Sequence, residues 1–300
     1  MNRCTSIFAL MLFASGVFAQ DSSMKVEENG EVISGNSWLT HTQLGEGIWV
    51  INDNQQDNVY LVEGDRLALV IDTGIGFQNL KTYVQSITAK PLVVVNTHGH
   101  PDHAGGNHVF DEVHIHKNEL DVLGYYTSEP VMKDTYNRFA GTLMPDHLLD
   151  KNKNTAALIL IDEGFQFDLG NRTLKVIHLP AHSPGSIALY DTKSHHLFTG
   201  DAANQHVWLQ IKYALSVEDF LISIRKLLGS QEPVNLLLPG HGEPLKPDHL
   251  NVLAAGAEKI IAGKCEVTPY DSPLGKEISC HHKDVVIVYK KENIKATSKK

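Results

Sequence analysis

Cysteine is scarce in this 300-residue chain: there are three, and only Cys265 and Cys280 lie beyond the first few residues. Neither sits in a ligand-like cluster, which argues against a thiolate metal site. In an oxidising compartment the two could pair and close a C-terminal loop, or they remain two buried thiols. Cationic side chains are also in deficit, 26 Lys and Arg against 35 Asp and Glu, for a net charge of −9. Binding to nucleic acid draws much of its affinity from cations set against phosphates, so a polyanionic partner is disfavoured.

Long apolar runs are missing too. The longest opens the chain: Arg3, then IFALMLFA at 7–14, then SGVFA, in which Val17 and Ala19 stand as the small residues before a signal-peptidase cut. A bilayer span needs roughly 20 apolar residues, so the run fits a cleaved export signal over 1–19, with the mature chain starting at Gln20. Only Arg3 is lost with it among charged residues, leaving −10. No other stretch predicts a membrane span, and no linker, low-complexity tract or internal repeat divides the rest.

What is present is enough apolar residue, 42%, for a large core. Short β-rich runs at 47–52, 58–64 and 66–72 predict a meander. Phe77, Leu80, Val84 and Ile87 then recur at helical spacing, and PLVVV follows as a buried strand. A second β-rich block covers GFQFDLG, RTLKVIHLP, SIALYD and HLFTGD. Ser216 and Asp219 make a capping-box start for a helix over 216–228 that Gly229 ends. VNLLLPGHG predicts another buried strand, and a helix near 248–262 and a strand in DVVIVYKK close the chain. Two β-rich halves, each ending in helices, predict one α/β unit of two packed sheets with helices outside.

The chemistry gathers at strand ends. PLVVV runs into NTHGHPDHAGG, which places His98, His100, Asp102 and His103 within six positions. Imidazole and carboxylate together suit zinc, iron or manganese. Three His and one Asp crowded into a single loop cannot all reach one tetrahedral ion comfortably, which suggests two ions. His98 and His100 alternate along an extended stretch and can point the same way, whereas Asp102 and His103 lie past Pro101 at the start of a helix. Three later strand ends offer further ligands: His182 in PAHSPGS, Asp201 in HLFTGD and His241 in LLLPGHG. Of the 17 histidines, His114 and His116 read as a solvated strand face, His195 and His196 as a turn, and His281 and His282 as part of the tail.

The ordered set HGHPDH, His182, TGD, PGHG, together with NVYLVEGDRLALVIDTG, resembles the metallo-β-lactamase superfamily over about 45–245. The resemblance implies a four-layer αββα sandwich with a metal site along one edge. The catalytic domain would cover 45–262, between an N-terminal segment at 20–44 and a C-terminal tail at 263–300. It implies that His98, His100 and His182 bind a first divalent metal, most simply zinc with iron or manganese as alternatives. Asp102, His103 and His241 would bind a second, with Asp201 bridging both. Asp72 would fix a ligand histidine by hydrogen bond, and Asp102 or a metal-bound water would manage the leaving-group proton.

Two such ions can generate hydroxide at neutral pH and polarise a substrate oxygen, so hydrolysis of an ester, lactone or thioester of a small molecule is expected. The diiron electron-transfer branch has Glu where this chain has His100, and the best-known β-lactamases have Cys or Ser at the Asp201 position. An Asp bridge resembles glyoxalase II, lactonases and acyl thioesterases. β-Lactam hydrolysis, a small-molecule phosphodiesterase and a mononuclear-iron persulfide dioxygenase remain as alternatives. Substrate choice is expected from 117–150, with Tyr125, Tyr126, Tyr136, Phe139 and Met144, from the loop after Asp201, and from the tail beyond 262.

Overall fold

The computed structural model describes residues 25–26, 32–33, 38–53, 57–140, 155–272 and 275–296. The proposed signal segment and Met144 lie outside the described residues, as do the side chains of Tyr136 and Phe139.

A seven-stranded sheet carries, in spatial and chain order, β1 Leu39–Gly45, β2 Ile48–Asp53, β3 Asp57–Glu63, β4 Ala68–Ile71, β5 Leu92–Val95, β6 Glu112–His116 and β7 Ala157–Ile161. Its first four strands are antiparallel, and β4 through β7 are parallel. A five-stranded sheet faces it: β8 Gln166–Asp168, β9 Thr173–His178, β10 Ile187–Asp191, β11 His196–Gly200 and, after β12 His206–Trp208, the strand β13 Leu236–Pro239 parallel to β11. Buried side chains from both sheets, including Tyr60, Leu69 and Val95 from one and Leu174, Leu189 and Phe198 from the other, form the central core. Tyr60 and Phe198 meet edge to face at 5.1 Å, and fully burying a ring of that size contributes about 1.5–3 kcal/mol.

Helices cover both outer faces. α1 Leu80–Ile87 starts where the Asn79 side chain accepts from Thr82 N, and it buries Leu80 and Val84 against the seven-stranded sheet. The short α2 Pro101–Ala104, α3 Leu120–Tyr126 and α4 Glu129–Ala140 follow. α5 Val217–Leu228 opens with the expected capping box, Ser216 and Asp219 each satisfying the other's backbone N–H. α5 and α6 His249–Ile261 pack with the outer face of the five-stranded sheet. The layers are therefore helix, sheet, sheet, helix.

The C-terminal segment builds more than one strand. β14 Val267–Ser272, β15 Gly275–His282 and β16 Val285–Tyr289 form an antiparallel run whose last strand pairs in parallel with β12, giving a third sheet. Cys280, Val285, Ile287 and Tyr289 join the α5–α6 core, and Cys265 and Cys280 form a disulfide. His281 and His282 thus belong to a strand. The solvated reading of His116 is also corrected. It is buried, stacked on His178 at 4.1 Å, with Nε2 on Asp162 at 3.1 Å.

Candidate metal centre

Every residue in the expected ligand set stands just beyond a strand's carboxyl end at one edge of the sandwich, where α/β sheets gather their sites. After β5 the chain stays extended through His98 and His100, and Pro101 at N1 then starts α2 with Asp102 in its first turn. The turn after β9 carries His182, β11 ends just before Asp201, and β13 runs into His241. A Cβ on Gly240 would lie 2.6 Å from His103 Cε1 and 2.7 Å from Asp201 Oδ1, so a glycine is needed for the His241 turn to come this close.

Two groups of ligand atoms result. His98 Nε2 lies 3.0 Å from His100 Nδ1, which lies 2.9 Å from His182 Nε2. Beside them, His103 Nε2 lies 3.3 Å from His241 Nε2, and Asp102 Oδ2 is 3.4 Å from His241 Nε2. Asp201 stands between the groups, with Oδ2 3.5 Å from His182 Nε2 and 3.4 Å from His241 Nε2, and Oδ1 3.7 Å from His103 Nε2. Within each of the sets His98–His100–His182, His98–His103–Asp201 and Asp102–His103–His241, ligand atoms lie within 4.8 Å of one another.

These contacts fit metal ions. Nitrogens bonded to one tetrahedral zinc at ~2.0 Å stand about 3.3 Å apart, close to the spacings seen. His182 Nδ1 faces the Trp208 carbonyl at 2.9 Å, so that nitrogen carries the proton and Nε2 presents a lone pair. His103 Nδ1 is likewise taken by Asp72 Oδ2 at 2.9 Å, freeing its Nε2. Buried Asp201 Oδ1 has no hydrogen-bond donor among the described residues, and an orphaned carboxylate oxygen needs a cation.

Electrostatics separate the two groups. Burial lowers the pKa of His98, His100 and His182, keeping all three neutral. Burial opposes the charge on His103 as well, but Asp102, Asp72 and Asp201 outweigh it and push His103 up to about 10. His241 is raised in the same way by Asp201 and Asp102. Burial would raise Asp102 and Asp201, yet the histidines beside them hold both below the ordinary carboxylate range. Where metals bind, they displace the protons that this acidic setting otherwise retains.

Asp72 is buried at the joint between the two inner strands. Besides His103 it accepts from Thr97 N at 2.6 Å and Thr97 Oγ1 at 2.8 Å, joining the β4 and β5 ends. It does so at φ +65°, a left-handed conformation uncommon for a non-glycine residue.

Asp57 and Glu119, both buried, border the ligand groups without having been expected from the sequence. Asp57 at the start of β3 faces His241 Nδ1 at 3.3 Å. Glu119, before α3, accepts from Gly99 N and Gly185 N. Neither stands in a motif, so no local signal marks them. Of the residues expected to shape the substrate site, Tyr126 packs against the His100 ring at 4.4 Å and Tyr125 against Tyr126 at 4.9 Å. Lys212 Nζ lies 3.5 Å over the Tyr125 ring. Trp208 and Tyr270 both make ring contacts with His206.

The family model of the metallo-β-lactamase superfamily matches residues 53–250. The chain belongs to that superfamily. It is 30% identical over 254 residues to the acyl-coenzyme A thioesterase MBLAC2 of Gallus gallus, covering 76% of this chain and 86% of that one. It is 27% identical over 195 residues to the hydroxyacylglutathione hydrolase GloC of Haemophilus influenzae, covering 63% and 86%. Among solved structures, the B3 metallo-β-lactamase BLEG-1 superposes with a TM-score of 0.52 at 25% identity, over 70% of this chain and 95% of that one. TTHA1623 in a di-iron-bound form gives 0.50 at 26%, over 70% and 96%. This superfamily member is a hydrolase by the names of its relatives, with His and Asp clusters able to hold metal ions.

Among the described residues no helix is long and apolar enough to cross a membrane.

Proposed function

We propose that this protein hydrolyses an acyl thioester, or a related ester or lactone, at a site loaded with two zinc ions, and that it works outside the cytoplasm. The observation that carries the reading is the pair of adjoining ligand groups with Asp201 reaching into both. A redox or structural role for one ion would leave the second group without purpose, which also weighs against the single-iron dioxygenase. His98, His100 and His182 would hold one ion, Asp102, His103 and His241 the other. Two relatives named for thioester hydrolysis support the substrate class, and the Cys265–Cys280 disulfide supports an oxidising compartment.

A bound pair of divalent ions supplies Lewis acidity and a low-pKa water. The chain supplies the rest. The Asp102 side chain is 20% exposed, so it reaches the open side of the site and, as a carboxylate, can accept a hydrogen bond that orients a water or a leaving group there. Trp208 O and Asp72 hold the His182 and His103 tautomers. The Tyr125–Tyr126 wall beside His100 excludes water from one side and offers apolar surface to an acyl group, with Lys212 at its rim for an anionic portion of the substrate.

A β-lactamase reading is favoured by the likeness to BLEG-1, against the Asp at position 201. The test is elemental mass spectrometry on purified protein with turnover of an acyl thioester, a lactone, an aryl ester, a chromogenic β-lactam and an aryl phosphodiester. Two zinc per chain and metal-dependent cleavage of the thioester are expected. One iron per chain with no turnover in the panel would overturn the proposal.

A further inference from the structure

We propose that Glu119 is a positioning residue that locks the two loops of the first ligand group, His98–His100 and His182, into one rigid unit. This rests on the reading that those histidines hold a metal.

Glu119 is 0% exposed, and no cationic side chain partners it among the described residues. Its Oε2 accepts from Gly99 N at 2.7 Å, and Gly99 lies between His98 and His100. Its Oε1 accepts from Ser183 Oγ at 2.7 Å and Gly185 N at 2.6 Å, on the loop that begins with His182. One carboxylate therefore joins the end of β5 to the turn after β9, segments that belong to opposite sheets. The sites it grips are shaped to receive it. A Cβ at Gly185 would meet Glu119 Cγ at 2.8 Å and Oε1 at 2.9 Å, and a Cβ at Gly99 would meet Leu123 N at 2.7 Å.

Three donors converging on one buried group require an acceptor-only side chain, and an ionised carboxylate is the side chain that has no N–H or O–H of its own. Burying a carboxylate is unfavourable, and charge-assisted hydrogen bonds offset it. From the other side His178 Nε2 meets Pro184 O at 2.9 Å, so the His182 turn is held on two flanks.

If the role is positioning, damage should fall on the first ion and spare the second. Metal affinity is measured by chelator competition in two single-site backgrounds: Asp102→Ala, which leaves the first group as the remaining site, and His100→Ala, which leaves the second. Glu119→Gln keeps the size but turns an N–H donor toward one of the three donors. It should weaken zinc binding about 10- to 100-fold in the Asp102→Ala background and under about threefold in the other. If Glu119→Gln does not fold, Ser183→Ala removes one of the three hydrogen bonds and should show the same asymmetry at about 3- to 10-fold. Equal losses in both backgrounds, tracking a fall in melting temperature, would mean general fold support and overturn the proposal. So would unchanged affinity in a folded variant while the unsubstituted protein binds two ions. An unsubstituted protein that takes up no metal overturns the two-metal reading as well.

Discussion

The two ligand groups lie side by side and are built by opposite means. In the first, three buried imidazoles are kept neutral by desolvation, and backbone carbonyls, backbone amides and a buried glutamate set their places. In the second, burial is outweighed by carboxylates: Asp102, Asp72 and Asp201 raise the pKa of His103, and Asp201, Asp102 and Asp57 raise that of His241. The first group presents preset lone pairs and asks for accuracy of position. The second presents negative charge and asks for a cation. Asp201 belongs to both, so the difference can be tested by what each substitution spares.

Asp201→Ala should have the largest effect. Losing the shared carboxylate is expected to cut turnover by about a thousandfold or more, about 4 kcal/mol of barrier, and to lower metal content below two per chain in elemental mass spectrometry. Retained activity would dissolve the idea of one coupled site. Asp72→Asn should act on one side alone. It keeps the shape but loses the acceptor for His103 Nδ1–H, and a 10- to 100-fold weaker second ion is expected in chelator titrations, with the first within a few-fold.

Acidity offers a third test, on metal-free protein. His103 is raised from 6.5 to about 10, so its contribution to stability is present below pH 6.5 and lost as pH rises through 10. The first-group imidazoles have lowered values and work the other way, stabilising the fold only as pH rises toward 6.5. Urea denaturation should therefore show metal-free stability falling between pH 6.5 and 10, and a flatter profile once metal occupies the proton's place. Equal slopes with and without metal would show that the acidic setting does not govern the second group.

The mildest perturbation lies in the third sheet. Replacing Cys265 and Cys280 with Ser opens a loop with a sequence separation of 15, and equilibrium unfolding should show a loss of about 3 kcal/mol. β12 carries the Trp208 carbonyl that holds His182 and pairs with β16. A small drop in affinity, under about threefold, should therefore appear for the first ion before the second.

Much of this was legible from local pattern. The 216–228 helix announced itself by its capping box and apolar spacing, and the His and Asp runs at strand ends lie where α/β sheets place chemistry. Each signal is carried by neighbours in the chain. Glu119 had none, because its partners are 20 and 64 to 66 residues away and two of them are backbone amides that any sequence possesses. His116 looked solvated for a related reason. Alternation marks a strand's two faces, but it does not reveal that His178 arrives from the other sheet to cover one of them. The third sheet was invisible as a sheet, since β12 and β16 pair in parallel across about 80 residues, with a register that their sequences do not encode locally.

The amino-acid sequence by itself determined the donor types, their order along the chain and the sheet ends that carry them, because hydrophobic periodicity and turn residues act over a few positions. Tertiary structure alone decided which nitrogen of each histidine is free, which group is neutral and which acidic, and which buried carboxylates brace them. Those properties depend on distance, burial and hydrogen-bond direction between segments remote in the chain, and such quantities exist only after the two sheets have closed on each other.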